Sequence, residues 1–117
     1  MNENQLKKGD LKDWSNKLEY HPLQWKAIKA VARIIQFAKR KYGNVNSWRE
    51  RDEGSYNRYL DALQRHMIAH INGELIDPES GETHLAHCAW NALALAEFAE
   101  EDIEKGVFDA EHLSIQR

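Results

Sequence analysis

Between Thr83 and Lys105 the chain carries Leu85, Ala86, Cys88, Ala89, Trp90, Ala92, Leu93, Leu95, Ala96 and Phe98, apolar residues that fall nearly all round a helix. A helix of that kind cannot lie on a surface and must be wrapped by other elements. A chain of 117 residues has room for one hydrophobic core and not for two. The segment, opening near Glu82 or Thr83 and stopped by Gly106, is therefore expected to be the most buried element of a single domain.

What wraps it can be read from two further helical periods. Leu23, Ala27, Ala30, Val31, Ile34, Ile35, Ala38 and Tyr42 recur at helical spacing, with Pro22 in position to open the helix and Gly43 to close it. A second helix is predicted from Ser55, a candidate N-cap, to about Asn72, ahead of Gly73. It has one stripe of Tyr56, Leu60, Leu63, Met67 and Ile71, and a neighbouring stripe of Tyr59, Ala62, His66 and His70. Asn44 to Gly54 reads as a charged loop around Trp48, and Asp77-Pro78 with Ser80-Gly81 reads as a sharp turn. No segment alternates as a strand would. The expected fold is all-α: a small bundle of three main helices, with a polar cleft between the second and third.

The expected organisation is an extended or partly ordered arm over 1–20, in which Trp14, Leu18 and Tyr20 pin it to the body. A helical domain follows over 21–105 and a tail over 106–117, with a short turn near Asp109 to Leu113. No apolar run reaches the eighteen or so residues of a membrane span, and the polar N-terminus lacks a signal-peptide core. The one cysteine, Cys88, has no internal disulfide partner, which fits a reducing compartment. A net charge of −3 argues against a duplex nucleic-acid binder. The expectation is a cytoplasmic protein that handles small molecules or another protein. A near-apolar helix in so short a chain also asks for a covering partner, so a homodimer is expected.

The chemistry concentrates between Arg65 and Asn91, which holds four of the six histidines. His66 and His70 are one turn apart on the second helix, and His84, His87 and Asn91 share a face of the third. A connection of about ten residues makes these helices antiparallel neighbours, so both stripes can meet with Glu74 and Asp77. Imidazole and carboxylate are ligands for first-row divalent metals, and imidazole is also an acid or base near neutral pH. The same residues read equally as a buried hydrogen-bond network that fixes helix register. Polar intrusions into an apolar helix cost stability unless each is paired, which favours a functional lining. No HExxH, His-Asp dipeptide, P-loop or Rossmann glycine pattern is present, and Cys88 reads as a packed thiol. Lys39 to Arg49 forms a second feature. Lys39 and Arg40 suit a helix C-terminus, while Tyr42, Asn46, Trp48 and Arg49 offer a stacking surface, an amide and a guanidinium.

These pieces carry a resemblance. Lys41-Tyr42-Gly43 with Asn46 and Trp48, Arg65-His66, Gly73-Glu74, Asp77-Pro78-Glu79-Ser80-Gly81, and His84-Leu85-Ala86-His87 leading to Asn91 occur in this order. From about Lys7 to Phe98 the chain resembles the N-terminal-domain family of phage dATP/dGTP diphosphohydrolases, with DPESG followed by HLAH as the specific part. The resemblance implies a helical hydrolase that removes pyrophosphate from purine deoxynucleoside triphosphates in a phage nucleotide pool. Such enzymes are grouped with MazG-like pyrophosphohydrolases, which are metal-dependent helical dimers. Two departures stand out. Ser47 separates Asn46 from Trp48, and His84-x-x-His87 occupies the place of the E-x-x-D that holds magnesium in MazG-like enzymes. No E-E-x-x-E occurs in the second helix.

The implied roles are then as follows. A divalent metal, Mg2+ or Mn2+, is expected on Glu74, Asp77, His84 and His87. His66, Glu74 and Asp77 are the expected catalytic groups, with His66 as acid or base. Lys41 and Arg65 are expected to meet phosphate, and Tyr42, Asn46, Trp48 and Asn91 the rest of the nucleotide. Manganese or another borderline ion suits imidazoles better than magnesium does. The alternative expectation is a phage protein that binds or sequesters a nucleotide, or a nucleotide signal, without hydrolysing it.

Overall fold

The computed structural model describes residues 17–106, which fold as three α-helices: α1 (Trp25–Tyr42), α2 (Ser55–Ile71) and α3 (His84–Glu104). A single 3-10 turn, Ser47–Arg49, sits between α1 and α2. No strand forms among the described residues; the only extended pairing is one antiparallel bridge between Ile76 and Thr83. The all-α bundle expected from the periodicities is therefore present. None of its helices is long and apolar enough to cross a membrane. Most of the expected N-terminal arm, including Trp14, and the expected turn around Asp109 to Leu113 with His112 lie outside the described residues.

The central position of α3 follows from its composition. It contributes seven buried residues (His84, Ala86, His87, Cys88, Asn91, Ala94 and Phe98), against two from α1 and one from α2. Its start is fixed locally, since the Thr83 hydroxyl accepts from the amide of Ala86 at 3.0 Å and satisfies one orphan donor of the first turn. It is not buried all round, however. Leu85 and Leu93 are 44% and 52% exposed, because α1 and α2 cover only part of its circumference.

The other two helices show what the sequence pattern overstates. On α1 only Val31 and Ile34 are buried, while Leu23 and Tyr42 at the ends of its apolar stripe are exposed. Burying Val31 and Ile34 contributes roughly 1.5–3 kcal/mol each, and this is what docks α1 on α3. Pro22 does not open α1. The amide of Leu23 bonds back to the carbonyl of Tyr20 at 3.1 Å, so the proline lies in a turn before the helix. The C-terminal stop is where the pattern put it, with Gly43 at a φ of 79°, a conformation that side chains with a Cβ resist. On α2 the N-cap position is Gly54, and Ser55 is the first helical residue; its buried hydroxyl accepts from the amide of Asp52 at 2.9 Å. The stripe that turns inward is Tyr59, Ala62, His66 and His70 with Leu63 and Met67, whereas Tyr56 and Ile71 are exposed.

Helices α2 and α3 run antiparallel, as three contacts in reversed order require. Tyr59 packs on Phe98, the Cys88 thiol donates to the carbonyl of Leu63, and His66 meets His84. The connection 72–83 closes the end of this pair. The amide of Gly81 bonds to the Asp77 carbonyl and that of Asp77 to the Glu82 carbonyl, both at 2.8 Å. Two ion pairs tie the same loop to α1: Arg33 to Glu82 at 2.9 Å and Lys41 to Glu79 at 2.8 Å.

Candidate functional site

The antiparallel register brings His66 of α2 against His84 and His87 of α3. The Nδ1 atoms of His66 and His84 face each other at 2.8 Å, and the His66 ring stacks on His87 with centroids 4.3 Å apart and 8° between planes. Loop 72–83 then closes over the three rings. Glu74 Oε1 lies 2.6 Å from His84 Nε2, and Ser80 Oγ lies 2.6 Å from His87 Nε2 and 2.8 Å from Asp77 Oδ2. The Ser80 amide also donates to Asp77 Oδ2 at 3.0 Å. One donor atom each from His66, Asp77 and His84 lies within 4.8 Å of the others.

Hydrogen-bond arithmetic assigns protons in this cluster. An ionised carboxylate only accepts, so His84 donates its Nε2 proton to Glu74. By the same rule the Ser80 hydroxyl spends its one proton on Asp77, so His87 Nε2 donates to Ser80 Oγ. Burial holds the pKa of His66 below that of an ordinary histidine, reinforced by the neighbouring His87 and opposed by Asp77. His87 is lowered in the same way, chiefly by burial, with Asp77 again opposing. Both rings are thus neutral near pH 7 and carry a free lone pair. Burial raises the pKa of Asp77, but the Ser80 hydroxyl and amide, helped by His87 and His66, outweigh it and hold the carboxyl below its usual range. The result is a preformed set of neutral imidazoles beside an ionised carboxylate.

On the same helix, one turn past His87, Asn91 is buried and donates to the His87 carbonyl at 2.8 Å. It also lines a cavity of about 390 Å³ together with the aromatic residues Tyr42, Trp48, Tyr59 and Trp90, and Ile35, Ala38, Val45, Ser47, Arg58 and Ala62 complete the lining. That volume falls in the range of small-molecule sites, roughly 300–1,000 Å³. Trp48 meets Trp90 edge to face at 5.5 Å, and the Arg49 guanidinium covers the Trp48 ring at 4.3 Å. Asn91 thus lines the cavity while its amide is held by the backbone of His87, about 6 Å away along the helix axis.

The residues singled out from sequence divide into three groups. His66, Glu74, Asp77, His84 and His87 come together in the cluster. Tyr42, Trp48 and Asn91 line the aromatic cavity. Lys41, Asn46 and Arg65 do neither. Lys41 is paired with Glu79, Asn46 Oδ1 accepts from Arg49 Nε at 3.3 Å, and Arg65 is exposed beside His66. Sequence reasoning missed Ser80, which joins Asp77 to His87, and the two aromatic walls Tyr59 and Trp90. Ser80 had a signal, since a Ser three residues after an Asp-Pro is positioned to bond back to that Asp side chain. Trp90 had none, because nothing in a buried helix distinguishes a cavity wall from core. Cys88 is a packed thiol as read, buried and with its pKa raised by that burial.

Helices, cluster and cavity define a small all-helical domain with a histidine–carboxylate site next to an aromatic pocket. The chain belongs to the dATP/dGTP diphosphohydrolase, N-terminal, family, whose sequence pattern matches residues 7–107. No curated protein and no solved structure matches it.

Proposed function

We propose that the protein hydrolyses dATP and dGTP to the monophosphate and pyrophosphate, serving a phage nucleotide pool in the host cytoplasm. The observation that carries this reading is Asn91, which joins the aromatic cavity to the face that presents His84 and His87. A purine stacked between Tyr42, Trp48, Tyr59 and Trp90 directs its triphosphate toward the cluster. There the imidazoles and the Asp77 carboxylate would hold a divalent cation, whose charge would offset that of the phosphates. Water adds at the α-phosphorus as the bond to the α–β bridging oxygen breaks, and pyrophosphate leaves. A neutral imidazole, His66 or His87, takes the proton of that water. The paired Lys41 would reach phosphate only by releasing Glu79, and Arg65 only by swinging in from the surface.

Phosphorus NMR of dGTP and dATP incubated with the protein, with and without manganese or magnesium, tests this directly. Pyrophosphate and monophosphate appearing only with metal supports the hydrolase reading; intact triphosphate after long incubation at high protein concentration sinks it. One observation favours a second reading. Asp77 is the only carboxylate in the three-residue donor group, fewer than hard-metal phosphate chemistry ordinarily uses. A protein that holds a nucleotide without cleaving it would return the triphosphate unaltered, with shifted or broadened resonances.

The proposal includes a homodimer. Ile68, Ile71, Leu75 and Ile76 are between 44% and 72% exposed around the end of α2, an apolar surface that a second copy would cover. Light scattering giving the mass of one chain at micromolar concentration would count against it.

A further inference from the structure

We propose that His66, Asp77 and His84 form a two-imidazole, one-carboxylate site for a borderline transition ion such as Mn2+, Co2+ or Zn2+, with Glu74 and Ser80 as its positioning residues. It deepens the hydrolase reading and rests on it only for what the ion would bridge.

The geometry carries the ligand set. One donor atom from each of the three residues lies within 4.8 Å of the other two. The two Nδ1 atoms are 2.8 Å apart. Two nitrogens at right angles on one ion, each about 2.0–2.1 Å from it, are separated by about 2.8–3.0 Å. The rings are therefore already spaced as neighbouring ligands, although in the absence of an ion one Nδ1–H donating to the other accounts for the same contact. His84 can offer only Nδ1, because its Nε2 is engaged by Glu74 at 2.6 Å. A carboxylate behind the far nitrogen is the arrangement that fixes the tautomer and raises the basicity of a metal-bound histidine. Asp77 is oriented in the same manner. Both Ser80 bonds go to Oδ2, which leaves the lone pairs of Oδ1 unclaimed by Ser80.

This division changes two roles expected from the sequence. Glu74 stands behind a ligand and is not one itself. His87 has its Nε2 occupied by Ser80 and stacks on His66, so with His66 on the ion it becomes the imidazole left to accept a proton. Three protein ligands leave positions open for phosphate oxygens and water, as in catalytic sites and unlike closed structural ones. Two nitrogens and one oxygen suit borderline ions, whereas magnesium demands a mostly oxygen shell.

The test is calorimetric titration of the chelator-treated full chain with Mn2+, Co2+, Zn2+ and Mg2+, together with nitrogen-15 NMR of the imidazoles on adding Zn2+. The expected result is one ion per chain, binding of the transition ions at least 100-fold tighter than Mg2+, and coordination shifts at Nδ1 of two histidines only. His66→Ala and Asp77→Ala should each remove that binding. Glu74→Gln should weaken it 10–100-fold while the melting temperature of the chelated protein stays within 2 °C or so. Comparable affinity for Mg2+, Zn2+ shifts at other histidines or at Nε2, or unchanged binding in His66→Ala would overturn the assignment. The NMR arm uses the unmodified chain, so misfolding of a variant cannot obscure the answer. Turnover of dGTP, followed in parallel, separates the two claims. Ion bound at these nitrogens without turnover leaves the site standing and removes the hydrolase reading; turnover with Mg2+ and no imidazole shifts does the reverse.

Discussion

Replacing Ser80 with alanine tests whether the loop 72–83 is a mere connection or the element that completes the cluster. The hydroxyl makes three contacts: Asp77 Oδ2 at 2.8 Å, His87 Nε2 at 2.6 Å and the Glu82 amide at 3.2 Å. The His87 side chain is only 9% exposed, so its Nε2–H loses its acceptor where little water can replace it. A buried donor left unpaired costs about 1–3 kcal/mol. Part of this returns if the ring moves toward Asp77 Oδ2, now 3.4 Å away, so a net loss of about 2 kcal/mol is expected. In a domain of this size that lowers the melting temperature by about 8–16 °C. The assay is urea unfolding of the chelator-treated protein followed by far-UV circular dichroism, with the slope compared to confirm that only the midpoint moves. Carbon-13 NMR of the Asp77 carboxyl gives a second readout. Its pKa should rise toward the ordinary value, because the Ser80 hydroxyl is the largest influence lowering it. A change below about 0.5 kcal/mol, the usual effect of a surface substitution, with an unmoved Asp77 titration would refute the reasoning.

Three further outcomes follow from the same geometry. Trp90→Ala removes the edge-to-face partner of Trp48, a pairing of about 0.5–1.5 kcal/mol, so nucleotide affinity measured by calorimetry should fall about 2–10-fold through a loosened cavity wall. In the chelated protein, stability should be full above pH 6.5, the unfolded value for His66 and His87, and fall as pH drops from there toward their lower folded values. In that window the unfolded chain binds more protons, and denaturant midpoints from pH 8 to 5 measure the effect. Cys88→Ala should leave turnover within about twofold, and the native thiol should resist alkylation until the protein unfolds, because burial keeps it protonated; fast labelling of the native state would contradict this.

How much of this was legible in the sequence depended on range. The helices were legible because their information is local. Apolar residues at three- and four-residue spacing, with Gly43 and Gly73 as stops, need no knowledge of the partner. The positions that failed were those where a neighbour decides. Pro22 has the right geometry for a first helical turn, yet the Tyr20–Leu23 turn claims it. The stripe from Tyr56 to Ile71 has the right period for a core face, yet α3 is too narrow a partner to cover its ends. The cluster was half legible. The i, i+3 and i, i+4 spacings put His66 on one face and His84 with His87 on another. Which nitrogen meets which oxygen was set by the fold of loop 72–83, and no spacing rule encodes that. The pairing of Lys41 with Glu79 was invisible for the same reason, since it joins residues 38 apart in the chain.

The cluster is also an accounting of buried polar atoms, and His70 is where the account does not close. His84, His87 and Asn91 are 4%, 7% and 5% exposed, and each has a partner: Glu74, Ser80 and a carbonyl of its own helix. This is how α3 holds three polar residues in an otherwise apolar face without a large loss of stability. One turn past His66, the Nδ1 of His70 is closed off from solvent and has no partner among the described residues. If that ring serves only packing, the unpaired nitrogen destabilises the fold, and replacing it with a ring of similar shape relieves the cost. His70→Phe should then raise stability by about 0.5–1.5 kcal/mol, the part of an unpaired-group penalty that survives an imperfect fit. Urea midpoints measured at pH 8, above the ordinary imidazole range, isolate that term from titration. A destabilised His70→Phe with unchanged unfolding slope would show that the nitrogen is already satisfied in solution, and the polar lining would then extend one helical turn beyond His66.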